Sequence, residues 1–106
     1  MANSNGSYVN VVPATDIYEG EKDYLLALDV PGIESSSLEV EIDKDVLKIS
    51  ARRTTAGEEQ RYARDFRVPS GVDAQAVTAS VKDGVLNVVL PKHERALPKR
   101  IPVNVH

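Results

Sequence analysis

Apolar and polar residues alternate with a period of two through most of this chain, and that pattern leaves little choice of fold. Leu38-Glu39-Val40-Glu41-Ile42-Asp43 is the cleanest case: three apolar side chains alternate with three acids. Successive side chains of an extended strand point to opposite faces, so this segment predicts a half-buried strand with one wet side. Val46 to Ala51 repeats the pattern, with Leu47, Ile49 and Ala51 inward and Lys48 and Ser50 outward. The short polar link Asp43-Lys44-Asp45 predicts a hairpin between the two. Asp16 to Glu19 reads as a short strand, followed by a turn at Gly20. Tyr24 to Val30 is a longer one, ended by Pro31-Gly32, since proline donates no ladder hydrogen bond. In the second half, Tyr62 to Val68 alternates and stops at Pro69. Ala76 to Val81 sets Val77, Ala79 and Val81 against Thr78 and Ser80. Lys82-Asp83-Gly84 is a tight turn in which glycine supplies a positive φ. Val85 to Leu90 follows and is closed by Pro91. No segment carries a helical period; Ser35-Ser36-Ser37 and Gly71 to Gln75 have room for single turns. Short, closely spaced strands with Gly and Pro punctuation predict an all-β fold, an immunoglobulin-like two-sheet β-sandwich.

At 106 residues the chain suits one domain. The reading divides it into a short flexible N-terminal arm (1–10), the sandwich (11–91) and a flexible C-terminal tail (92–106). The tail is charged and Pro-punctuated up to Arg100, then turns apolar at Ile101-Pro102-Val103. In an extended segment Ile101 and Val103 face one surface together, and Pro102 fixes its own φ and biases Ile101 towards extension. Such a triplet is a partly pre-ordered plug, which lowers the entropy cost of docking.

The chemistry-bearing residues do not converge. No G-x-S-x-G or G-x-x-x-x-G-K-[ST] pattern occurs, and cysteine is absent. His93 and His106 both lie in the tail, where two histidines without other ligands do not make a metal site. The expectation is a protein that is not an enzyme and uses no metal or other cofactor. A net charge of −3, with Lys and Arg interspersed among Asp and Glu, argues against nucleic acid as a partner. No apolar run reaches the ~18 residues that span a bilayer, so no stable membrane insertion is expected. Met1 to Ser7 is polar and shows no secretory signal, which suits a cytoplasmic location.

The order of these pieces resembles the α-crystallin domain of the small heat-shock proteins, over roughly Val11 to Val103. The strongest local signature is Ala79-Ser80-Val81-Lys82-Asp83-Gly84-Val85-Leu86, similar to the family's A-x-x-x-n-G-V-L motif through Ala79, Gly84, Val85 and Leu86. Asp16-Ile17-Tyr18-Glu19, Leu28-Asp29-Val30-Pro31-Gly32, Val46-Leu47-Lys48-Ile49-Ser50 and Phe66-Arg67-Val68-Pro69 resemble further family pieces in the same order. Ile101-Pro102-Val103 sits where the family carries its C-terminal I-x-(I/V) anchor.

The resemblance implies an ATP-independent chaperone, a holdase that binds unfolding client proteins and assembles with copies of itself into a dimer or small oligomer. It implies an assembly anchor at Ile101, Pro102 and Val103. That anchor would dock in a sandwich-edge groove made by Leu38, Val40 and Ile42 on one strand and Val77, Ala79 and Val81 on another. Two departures bear on assembly. Bacterial and plant members carry a long excursion holding a strand exchanged with a partner; here only Arg52 to Arg61 bridges the flanking strands, which is too short for one. The alternatives are a monomer or pairing along the edge strand of Tyr62, Arg64, Asp65, Phe66 and Arg67, as in animal members. Arg64, Asp65 and Arg67 are then either ion-pair partners of a second copy or plain edge charges that oppose aggregation. The second departure is the short, Asn/Ser-rich arm, which implies small assemblies. The other readings are a CS-domain-like co-chaperone or partner-binding module, and a passive structural sandwich.

Overall fold

The computed structural model describes residues 8–105. It contains eight strands: β1 (Tyr8–Val11), β2 (Thr15–Glu19), β3 (Asp23–Asp29), β4 (Glu39–Asp43), β5 (Val46–Thr55), β6 (Glu58–Arg67), β7 (Thr78–Lys82) and β8 (Val85–Pro91). They form two four-stranded sheets, in the orders β1-β6-β5-β4 and β2-β3-β8-β7. Single 3₁₀ turns occur at Ser35–Ser37, Ala74–Ala76 and Glu94–Ala96. The immunoglobulin-like all-β sandwich expected from the alternation is the observed architecture.

The inward rows of the two sheets make the core. On one sheet these are Leu26 and Leu28 of β3 with Leu86, Val88 and Leu90 of β8; on the other, Leu47, Ile49 and Ala51 of β5 with Tyr62 of β6. The register stacks them in pairs: Leu26 opposite Val88, Leu28 opposite Leu86, and Ala51 opposite Tyr62. Among the described residues no polar or charged side chain is buried. The sandwich is therefore held by apolar burial, about 1.5–3 kcal/mol for each fully buried aliphatic side chain.

The turns carry the chemistry of tight hairpins. Asp83 and Gly84 both have positive φ (51° and 76°), as do Ala56 and Gly57 (53° and 77°). Two successive positive φ values make the turn twist with the strands. At Gly84 a side chain is excluded twice over, by the φ and by space: a Cβ would stand 3.2 Å from the Cα of Pro31. The same turn accepts a hydrogen bond from the Val30 amide at the Gly84 carbonyl (2.8 Å). The Val30-Pro31 stop of one strand is thus docked on the Asp83-Gly84 turn of another.

Two elements differ from the sequence expectation. The Arg52–Arg61 bridge is not a loop: β5 and β6 run through it as one long hairpin, paired from Val46↔Arg67 to Thr55↔Glu58. Its outer half has little to bury on either face, so the sequence there lacks alternation. Arg53 supports it, donating to Gln60 Oε1 (2.6 Å) and to the Pro31 carbonyl (2.9 Å), with its guanidinium 5.2 Å from the Tyr62 ring centre. The second difference is at the N-terminus. Part of the segment read as a flexible arm is strand β1, which pairs in parallel with β6, Tyr8↔Glu59 to Val11↔Tyr62. The remainder of that arm, Met1 to Ser7, and His106 lie outside the described residues.

Gly84→Ala is expected to lower stability by about 1–2 kcal/mol, more if Pro31 cannot shift. Thermal unfolding measures this as a drop in Tm of several degrees or more.

Candidate functional site

Four strands per sheet cover the middle of the sandwich but not its sides. On one side the edge strands are β4 and β7. Val40 pairs with Ile49 and Ile42 with Leu47, so both share the inward face of core residues. Ala79 pairs with Val88 and Val81 with Leu86, which puts them on the inward face as well. Among the described residues no further strand covers them. Val40, Ile42, Val77 and Ala79, with Ala74, Gln75 and Thr78, line an open groove between the sheets. Of the six residues assigned to such a groove, these four come together. Leu38 and Val81 lie outside it, each continuing its strand's inward row beyond the groove lining. Val81 is left 36% exposed.

Glu39, Glu41 and Asp43 alternate with the groove residues and are exposed. Among the described residues Asp43 is the one of these acids in an ion pair, with Lys48 at 3.7 Å, and Glu41 is the cross-strand neighbour of that lysine. The outer face of the strand that walls the groove therefore carries a surplus of acid beside Lys48.

The residues expected to form the anchor stand free of the body. Ile101 is 72% exposed and Val103 81%, in a segment without regular structure. The start of the tail is fixed: Lys92 Nζ reaches Glu19 Oε2 (3.1 Å) and the Gly20 carbonyl (3.0 Å), 4.9 Å from the Tyr24 ring centre. The His93 amide donates to the Gly71 carbonyl (2.7 Å). The Glu94–Ala96 turn then directs the chain outward.

The proposed dimer edge divides. Tyr62 is 4% exposed and belongs to the core, and its backbone faces β1. Phe66 is inward and half-buried, packed against the core. Arg64 lies with its guanidinium 4.8 Å from the Phe66 ring centre and makes long contacts (3.5 Å) to the Pro13 carbonyl and Thr15 Oγ1. Asp65 is opposite Lys48 and exposed. Arg67 pairs with Asp45 (2.8 Å). Beyond Tyr62, β6 has no strand on its outer side among the described residues.

That same side holds a feature sequence reasoning missed. Ile17 of β2, 58% exposed, stands across from Phe66 and Val68, and with Tyr24, Leu26 and Leu90 they line an apolar cleft of about 180 Å³. The signal was present in Ile17 alone, the one aliphatic residue of β2. Its partner Phe66 could not be found without the topology. Among the described residues no cluster of His, Asp and Glu is arranged to hold a metal ion.

The family model for the Hsp20/alpha crystallin family matches residues 16–105. The chain belongs to that family. The small heat shock protein C4 of Rickettsia felis is 33% identical over 104 residues, covering 87% of this chain and 64% of that protein. The spore protein SP21 of Stigmatella aurantiaca is also 33% identical, covering 87% and 62%. The chain thus spans less than two thirds of the length of these two relatives. A small heat-shock protein from Xylella fastidiosa superposes with a TM-score of 0.74 at 32% identity, covering 90% of this chain and 98% of that one.

Val11→Pro is expected to remove the β1 ladder while leaving the core intact. Hydrogen exchange should then speed up at the Glu59–Tyr62 amides that face β1, with Val46–Ala51 unchanged. Equal acceleration in both segments would mean that β1 supports the whole sheet.

Proposed function

We propose that this chain is an ATP-independent holdase that binds partly unfolded proteins and prevents their aggregation. The observation that carries the reading is the coexistence of an uncovered apolar groove and an exposed apolar plug in one chain. Ile101 and Val103 dock between β4 and β7, with Pro102 keeping the segment extended. Full burial of two such side chains contributes on the order of 3–6 kcal/mol before ordering costs. That is enough to hold an assembly and weak enough to exchange. Exchange uncovers groove and edge surface, which unfolding chains occupy by apolar contact or by strand addition.

Self-association has a second surface, the stretch of β6 from Ala63 to Arg67. Antiparallel pairing of two such edges brings Arg64, Asp65 and Arg67 of one copy near those of the other. This pairing needs no exchanged strand, which suits a chain whose Arg52–Arg61 segment is taken up by the β5–β6 hairpin.

The test is light scattering from a heat-aggregating client, without ATP, with and without the protein. Suppression at near-stoichiometric ratios is expected, and Ile101→Ala/Val103→Ala should change both the suppression and the assembly mass. A client that aggregates equally in all samples contradicts the holdase reading and favours a partner-binding module.

A further inference from the structure

The tail continues past the anchor triplet. Val105 follows Val103 at the same period of two and is 89% exposed, more than either anchor residue. On the groove side, Val77 and the two inward residues of β7, Ala79 and Val81, likewise make a row of three; Ala79 and Val81 are both exposed, and Val81 lies beyond the groove lining. A plug of Ile101, Val103 and Val105 rises as far as the row from Val77 to Val81, about 13 Å for four residues of extended chain. A plug that stops at Val103 leaves one apolar position on the wall and one on the tail without a partner.

The groove's occupant follows from the chain itself. The chain's own plug is solvated, not seated. Among the described residues Lys99 and Arg100, directly before the plug, form no ion pair, and neither does Glu39 on β4, while Glu41 stands opposite Lys48. The tail is thus complementary in apolar spacing to the groove of a second copy, and in charge to the strand that walls it.

We propose that a second copy's tail seats with three knobs rather than two, Val105 being the third, so that the row Val77, Ala79 and Val81 is covered along its length. In either chain direction the three knobs match the three wall positions. The inference rests on the tail-in-groove reading above and adds to it a residue that sets the length and register of docking.

Subunit exchange between two labelled populations of the full chain, followed by energy transfer, tests it. Val105→Ala is expected to speed exchange about tenfold, the loss of two buried methyl groups. Val81→Ala should do the same, and Val81→Ala/Val105→Ala should add little to either, because both remove one contact. Ile101→Ala/Val103→Ala runs as the control. If that control speeds exchange while Val105→Ala matches the natural chain, the third knob is refuted and the docking reading stands. If Val81→Ala and Val105→Ala each act and their effects add, Val105 docks elsewhere and the inference also fails. If the control leaves exchange unchanged, the docking reading falls and takes the inference with it.

Discussion

A sandwich of two four-stranded sheets is closed above and below but open along its sides, and the proposed docking follows from that. The inward rows of β3, β8 and β5 are covered by neighbours on every side, which is why Leu28, Leu47, Leu86 and Val88 are fully buried. The inward rows of β4, β7, β2 and β6 include the same kind of residue but face an opening. Val40 and Ala79 on one side, and Ile17 and Phe66 on the other, are core residues by register and surface residues by position. The tail docking proposed above would extend the core already present. No new pocket has to be shaped.

Open sides are also a hazard, since sheet edges invite pairing with other chains. The fold manages each edge differently. β4 carries alternating acids, β1 covers the outer half of β6, and Lys92 ties the tail's base to the β2–β3 turn. The exposed ion pairs that decorate the sheets contribute little stability.

The sandwich could be read from the sequence because its core alternates, and because the turns at Lys44-Asp45 and Asp83-Gly84 carry residues suited to tight hairpins. The outer β5–β6 hairpin was invisible for the converse reason. Arg52 to Thr55 and Glu58 to Arg61 bury little on either face, so no periodicity marks them; their pairing is propagated from the core half of the same strands. β1 was hidden because Tyr8 to Val11 is short and set in polar sequence, and its parallel partner is distant in the chain. The groove was legible in part: alternation gives the face of each strand, and Val40, Ile42, Val77 and Ala79 converge. Tyr62 illustrates the limit. Alternation places it in line with Arg64 and Phe66, but only the sheet order separates a core position from an edge.

The central claim is that the tail of one copy occupies the β4/β7 groove of another. The chain contains no cysteine, so engineered thiols report on it without background. Mixing Ala79→Cys with Val103→Cys chains under mild oxidation gives the most direct measurement. The account predicts a mixed disulfide between the two populations, lost when a competing synthetic peptide of residues 98–106 is added. Disulfides formed only within each population, with no mixed product, would contradict it.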